Sequence, residues 1–229
     1  MARPKHPNLK LNLKPINPLT DAQEDTFFFY NKDKNLVLSG SPGTGKTFLS
    51  LYLGLKDVFD KSKPQEKLVI VRSCVQSREV GYLPGKEEEK NAVYELPYKQ
   101  ICSELFRNND SYEVLKTKNK VDFISTSFIR GVTLHDSIVV VDEVQNMSIE
   151  EINTIITRLG GNSRIMLCGD LRQCDFGVSG KKKEVSGFLT MVDIINNMDS
   201  FKQVEFNHSD IIRSGLVEEW IVTKDNLGY

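Results

Sequence analysis

Residues 40–47 read Gly40-Ser41-Pro42-Gly43-Thr44-Gly45-Lys46-Thr47 and match the pattern G-x-x-x-x-G-K-[ST] at every fixed position. The stretch lies between an apolar run at 35–39 and the helix-compatible run 48–53, where a phosphate-binding loop needs its strand and its helix. Glycines let such a loop wrap a polyanion with backbone N–H groups, and the N-terminus of the next helix adds a positive dipole. The sequence therefore predicts a nucleoside triphosphate site. The alternative is a Gly-rich turn that happens to precede a helix.

A second motif ends another predicted strand. The apolar residues 138–141 are followed by Asp142 and Glu143. Such a strand would bring Asp142 beside a Mg²⁺ bound by Thr47, and Glu143 would orient and polarise the attacking water. A strand that ends in two acids is weak evidence alone, but it is stronger beside a complete phosphate loop on the same predicted sheet. The neighbouring Gln145 is a candidate for contact with phosphate or nucleic acid, or for a helix cap.

Three further side chains are candidates for the same site. Gln173 follows the next strand and is predicted to hydrogen-bond the γ-phosphate and sense its loss, with an ordinary surface turn as the alternative. Gln23 is predicted to pair with the N6 and N7 edge of adenine, with a helix cap as the alternative. Arg213 follows the last strand and is predicted to act as an arginine finger, from a neighbouring subunit or within its own chain, with a surface salt bridge as the alternative.

These roles define the expected ligands, ATP and Mg²⁺. Lys46 is predicted to reach the β- and γ-phosphates. The predicted catalytic residues are Lys46, Glu143, Gln173 and Arg213, and the predicted metal ligands are Thr47 and Asp142. The predicted nucleotide-binding residues are Gln23, Gly40, Ser41, Pro42, Gly43, Thr44, Gly45, Lys46, Thr47 and Phe48. The aromatic residues 27–30 near Gln23 are interpreted as helix core rather than as a stacking platform.

Composition limits the class of protein. The 229 residues suffice for one sizeable α/β domain, and a hydrophobic content of 39% is that of an ordinary globular protein. The net charge of −1 gives no global sign of nucleic-acid binding, so such binding must come from local patches. The longest aliphatic stretch is 138–141, so we expect no membrane span and a cytoplasmic location, which is the host cytoplasm if the gene is phage-borne. Four scattered cysteines predict buried, reduced thiols.

The apolar pattern predicts an α/β domain built on a mostly parallel sheet. β-branched runs recur at 36–38, 68–71, 121–124, 138–141, 164–167 and 203–206, and helix-compatible segments lie between them at 54–60, 87–106, 149–159 and 188–198. Ser148 is a predicted N-cap, with two acids in the first turn after it. We expect an extended N-terminal arm at 1–17, an ATPase domain at 18–222 and a C-terminal tail at 223–229.

Together these motifs resemble the PhoH family of ATPases, whose core is similar to one motor domain of the superfamily-one helicases. The resemblance covers about residues 18–217, and its more specific marks are residues 40–47, 81–85, 128–134, 141–146, 169–175 and 210–213. It implies a RecA-like P-loop NTPase fold, a three-layer sandwich. It also implies coupling to RNA or single-stranded DNA and a ring-shaped homo-oligomer, for which a hexamer is one candidate. The chain departs from the family by carrying Ser73 where Pro is common and Ser214 where His is common.

Three functions compete on this evidence. The first is a Mg²⁺-dependent ATPase that moves on or unwinds RNA or single-stranded DNA, and the second is a nucleotide-switched interaction protein with slow hydrolysis. The third, phosphoryl transfer to a small molecule, lacks a recognisable acceptor site. Single-strand binding is predicted from residues 72–78, from the basic arm and from the lysines at 181–183, which otherwise form a solvated loop.

Overall fold

A single sheet of six parallel strands organises the molecule. The computed structural model describes residues 11–73, 87–170 and 187–228. The strands are β1 Asn35–Gly40, β2 Lys67–Arg72, β3 Val121–Ser125, β4 Ser137–Asp142, β5 Arg164–Gly169 and β6 Phe201–Phe206. Their order is β3-β2-β4-β5-β1-β6, and every pairing is parallel. All six predicted strands are confirmed, and each is slightly longer than predicted.

The described ranges contain seven α-helices. They are α1 Asp21–Asn31, α2 Lys46–Phe59, α3 Glu87–Phe106, α4 Ser111–Thr117, α5 Ile149–Ile156, α6 Gly187–Ile195 and α7 Gly215–Asn226. The N-cap prediction for α5 is confirmed: the Ser148 hydroxyl accepts a hydrogen bond from the Glu151 N–H, and the Glu151 carboxylate accepts one from the Ser148 N–H. Helices α5 and α6 both end three residues earlier than predicted.

The helices cover both faces of the sheet. Ile138 and Val140 of β4 pack into a cluster with α1 to α4, whereas Val139 and Val141 pack into a second cluster with α5 and α6. All four side chains are fully buried, and each such burial stabilises the fold by about 1.5–3 kcal/mol. The predicted three-layer α/β sandwich is therefore confirmed. Since parallel strands share one carboxyl edge, the loops after β1, β4 and β5 meet at the same side of the domain.

Helix α2 lies unusually close to the sheet at its one internal glycine. A Cβ at Gly54 would lie 2.6 Å from Leu68 Cδ1 and 3.0 Å from Ile138 Cγ2. Glycine therefore allows the middle of α2 to pack closely on β2 and β4, although it is a poor helix former. Of the helices in the described part of the chain, none is long and apolar enough to cross a membrane.

The described part of the N-terminal arm is extended but packs against the domain. Leu11, Leu13 and Ile16 lie against the first core cluster, and the Ile16 N–H donates to the Tyr52 hydroxyl at 3.2 Å. At the other end, α7 continues past residue 222 and has no buried residue. The domain limits of 18 and 222 stay predictions, and the packing of residues 11–17 on the domain argues for their inclusion in it.

Candidate nucleotide-binding site

Three glycines of the phosphate loop, at positions 40, 43 and 45, have positive φ, and the first and last of them fix its two ends. Gly40 has φ 123°, and a Cβ there would lie 2.0 Å from the carbonyl oxygen of Phe206, so the end of β1 tolerates no side chain. The Ser41 N–H donates to that same carbonyl at 3.0 Å. Gly45 has φ 87° and is the N-cap of α2. The loop is thus fixed by backbone contacts to β6, with the positive end of α2 directed into it.

Lys46 folds back over this loop. Its Nζ donates to the carbonyl oxygens of Gly40 at 2.8 Å and Ser41 at 2.7 Å. Burial lowers the pKa of Lys46 from its usual value, and the negative charge of Asp170 opposes that shift. A partly desolvated ammonium gains more from an anion than an exposed one does. The position therefore suits a phosphate group.

The strand ends bring together the two predicted metal ligands. The Thr47 hydroxyl donates to Asp142 Oδ1 at 2.7 Å, across 95 residues of sequence. A hydroxyl and a buried carboxylate are hard oxygen donors, so the pair fits Mg²⁺. Among residues 11–73, 87–170 and 187–228, no group of three or more His, Cys, Asp or Glu could hold a metal. A Mg²⁺ here would rely on these two oxygens together with phosphate oxygens.

Glu143 lies beside this pair in a strained backbone. Its φ is 54°, a conformation that costs a non-glycine residue about 1 kcal/mol or more. Gln145 Nε2 donates to Glu143 Oε2 at 2.6 Å, and Gln145 Oε1 accepts from the Asp170 N–H at 3.2 Å. Gln145 thus orients the predicted general base, a role that its sequence position alone did not reveal.

Gln23 uses both ends of its amide within the protein. Its Nε2 donates to the Thr44 carbonyl of the phosphate loop at 3.2 Å, and its Oε1 accepts from the Leu19 N–H at 2.9 Å. The side chain is 2% exposed. Of the aromatics that follow it, Tyr30 is buried and Phe28 is 55% exposed, so the core interpretation holds for only part of the group.

Arg213 contacts the phosphate loop of its own chain. A Cβ at Gly43 would lie 3.0 Å from Arg213 Cγ, and the Ile212 N–H donates to the Gly43 carbonyl at 3.2 Å. The chain thus presents Arg213 to its own site, and this geometry favours the alternative in which the finger acts within one chain.

Other predicted contacts fall outside the described residues. These include Gln173, with its predicted role as a γ-phosphate sensor, the lysines at 181–183, residues 74–78 and the first ten residues of the arm. The two described cysteines, Cys102 and Cys168, are buried free thiols as predicted, and burial raises the pKa of each to about 12.

Two adjoining cavities open at the loop. The first measures about 420 Å³ and is lined by the loop, Asp142, Glu143 and Arg213. The second measures about 530 Å³ and is lined in part by residues 14–17 of the arm and by Leu19. Both volumes fall in the range of small-molecule sites. The wall common to both cavities is formed by Gly43, Gly45, Phe48, Glu104 and Arg213.

Sequence reasoning missed the side of the site built by α3 and the arm. Pro97, Gln100 and Glu104 line the first cavity, although no motif marks them. Lys14 and Asn17 line the second cavity from a segment interpreted only as an arm. Their position depends on how α3 and the arm pack, and no local pattern of residues encodes that packing.

Comparison with known proteins places the chain in one family. The family model described as PhoH-like protein matches residues 15–224. A PhoH-like protein of Mycobacterium leprae (strain TN) is 30% identical over 195 residues, which are 82% of this chain and 52% of the relative. A PhoH-like protein of Bacillus subtilis (strain 168) is 29% identical over 196 residues, 85% of this chain and 59% of the relative. The chain therefore spans little more than half the length of these curated relatives.

Solved structures share the fold. The large terminase from a thermophilic bacteriophage superposes with a TM-score of 0.52 at 13% identity, covering 89% of this chain and 50% of that one. At such low identity the likeness shows the architecture alone, and it agrees with the expected RecA-like P-loop arrangement.

Proposed function

This chain belongs to the PhoH-like protein family, and on that premise we propose that it is a Mg²⁺-dependent ATPase whose hydrolysis is coupled to RNA or single-stranded DNA. One observation carries the ATPase proposal. One cavity is lined by residues that follow the ends of β1 and β4, namely Lys46, Thr47, Asp142 and Glu143. In it, the Thr47 hydroxyl lies 2.7 Å from Asp142 Oδ1. A triphosphate bound there would meet a cation, a metal site and a carboxylate base together.

Each residue has a defined part in the proposed reaction. Lys46 and the loop N–H groups hold the phosphates, and Thr47 and Asp142 hold Mg²⁺, which when bound neutralises charge on the phosphate oxygens. Glu143, oriented by Gln145, accepts a proton from the attacking water. Arg213 stabilises the charge that develops on the transferred phosphoryl group from within the same chain.

The second cavity is the proposed site of the base. A nucleotide with its triphosphate at Lys46 and its base in the second cavity would place its sugar at the wall that both cavities share, and Glu104 lies in that wall. A carboxylate accepts hydrogen bonds from the hydroxyls of a ribose. We therefore assign Glu104 to the sugar, and Gln23 to adenine or to the support of the loop.

The proposed coupling to a nucleic acid involves the carboxyl end of β2, next to the metal site. Arg72 ends β2 directly beside Asp142 in the β2–β4 register, so a strand bound near Arg72 would lie next to the metal site. The family resemblance to one helicase motor supports the same proposal. Translocation and unwinding are the proposed outputs of this coupling.

A second candidate is favoured by the exposed C-terminal helix. Leu216 and Trp220 of α7 are 77% and 72% exposed and lie one turn apart on one face. An exposed tryptophan beside a leucine is typical of a protein-binding surface. A nucleotide-switched interaction protein would use such a face. An oligomeric ring would use it as well, and sedimentation velocity tests that proposed assembly.

ATP turnover with and without single-stranded RNA or DNA of fixed length tests the proposed function. We expect strong stimulation by one of the two, no turnover with Lys46→Ala and a linear fall of log affinity with log salt. Turnover that is indifferent to both nucleic acids would favour the switch protein. No Lys46-dependent turnover under any condition would refute the ATPase proposal itself.

A further inference from the structure

Tyr98 of α3 contacts the carboxylate assigned to the metal. The side chain is fully buried, and its hydroxyl donates to Asp142 Oδ2 at 2.9 Å. The other oxygen, Oδ1, accepts from the Thr47 hydroxyl. The two oxygens of Asp142 therefore have separate partners, one from the phosphate loop and one from α3.

Arg72 adds a positive charge near the Tyr98 hydroxyl. It is paired with Asp142 in the β2–β4 register, and its charge opposes the rise in the pKa of Tyr98 that burial and the Asp142 charge cause. An ionised carboxylate has only acceptors, so the Tyr98 hydroxyl proton points to Asp142. Arg72 also lies over the ring of Tyr94, with 5.9 Å from Cζ to the ring centroid. Tyr98 and Asp142 thus form a buried hydrogen-bonded pair, with the half-buried Arg72 beside it.

We propose that Tyr98 is a positioning residue for the metal site, because it holds the Asp142 carboxylate in the orientation that presents Oδ1 beside Thr47. This inference rests on the proposed function. The terminal torsion of an aspartate is broad, so a carboxylate tied at one oxygen only can rotate. Groups that orient a metal-binding carboxylate are commonly worth 10- to 100-fold in metal affinity.

A second tyrosine provides a matched control. Tyr30 is 2% exposed, and its hydroxyl donates to Asp57 Oδ2 at 2.9 Å. An arginine lies beside this pair as well, since Arg164 Nη1 donates to Asp57 Oδ2 at 3.2 Å. Tyr30, Asp57 and Arg164 are called the Tyr30 triad. The Tyr30 triad lies outside both cavities of the site. Tyr30→Phe and Tyr98→Phe therefore delete equivalent buried hydrogen bonds, and only one of the bonds involves the proposed metal ligand.

The test measures metal affinity instead of turnover. The full chain is saturated with ADP and titrated with Mn²⁺, followed by electron paramagnetic resonance, and ADP affinity is measured separately in chelator. For Tyr98→Phe we expect about tenfold weaker Mn²⁺ binding and unchanged metal-free ADP affinity. For Tyr30→Phe we expect wild-type Mn²⁺ affinity. Its denaturant midpoint should fall by about as much as that of Tyr98→Phe, because each variant loses one buried hydrogen bond. Arg72→Lys keeps the positive charge and leaves the Tyr98–Asp142 hydrogen bond in place, so it should bind Mn²⁺ with wild-type affinity.

Several results would overturn the inference. Wild-type Mn²⁺ affinity in Tyr98→Phe would show a merely structural tyrosine, as would an equal loss in Tyr30→Phe or an equal loss of metal-free ADP binding. If Tyr98→Phe does not fold, Tyr98→Met replaces it, because methionine also lacks the hydroxyl and fills irregular space in a core, and wild-type Mn²⁺ affinity in that variant decides against the proposal. A wild-type protein that binds Mn²⁺ with ADP but hydrolyses no ATP refutes the proposed function and leaves the role of Tyr98 to be judged on these affinities.

Discussion

Gln23→Ala separates two roles for the buried glutamine. The substitution removes the donor to the Thr44 carbonyl and the acceptor for the Leu19 N–H. Each hydrogen bond contributes about 1 kcal/mol net, so the loop and arm lose about 2 kcal/mol of support. If all of that loss appears in binding, affinity falls by up to roughly 30-fold. Because both contacts are to backbone, we expect the loss for any ligand that uses the loop.

The assay compares three ligands on one protein. Dissociation constants of ATP, GTP and inorganic tripolyphosphate are measured by calorimetry for wild type and Gln23→Ala. A role in positioning the loop predicts the same fold-loss for all three. Adenine reading predicts an extra loss of about 1–3 kcal/mol for ATP alone, as for a bidentate amide–adenine pair. The described geometry, with both ends of the amide occupied, favours the equal loss.

A remote glutamine controls for general destabilisation. Gln65 is 7% exposed, and its Nε2 donates to the Asn162 carbonyl at 2.9 Å. Gln65→Ala should lower the denaturant midpoint without changing any of the three affinities. If Gln23→Ala binds tripolyphosphate as wild type does, the reasoning from the Thr44 contact is refuted. A selective loss of ATP would restore the adenine role predicted from the sequence.

Three further predictions concern the same site. Glu143→Gln keeps the shape but removes the base, so ATP should bind normally and turn over about 10²-fold more slowly, and near-normal single-turnover rates would remove Glu143 from the mechanism. Glu104→Ala removes the proposed acceptor for the ribose hydroxyls, so the variant should bind ATP and 2′-deoxy-ATP with nearly equal affinity in competition binding. A preference for ATP as large as that of the wild type would place the ribose elsewhere. Mixing Arg213→Ala with Lys46→Ala subunits should restore no ATPase activity, because Arg213 contacts its own loop. Recovery after verified exchange would show that the finger acts between subunits.

The sequence alone determined the features that are local. A phosphate loop needs glycines, a lysine and a hydroxyl at fixed spacing. Residues 40–47 have that spacing, so the sequence pattern alone predicted the loop. Apolar runs located the four central strands, because a strand buried on both faces is apolar throughout. The edge strands β3 and β6 were located although they include polar residues that are only partly buried or exposed. The N-cap at Ser148 was also predicted, since a cap and the first turn of its helix lie within a few residues of one another.

Only the tertiary structure decided which distant residues meet. Strand order brought Thr47 to Asp142, and the packing of α3 placed Tyr98 on that carboxylate and Glu104 between the cavities. The return of the chain after β6 laid Arg213 on its own loop. Tyrosines and glutamates on a helix carry no local signal of such roles, because their chemistry depends on which strand ends the helix covers. That choice is made by the packing of the whole core, over separations at which no sequence pattern constrains the pair.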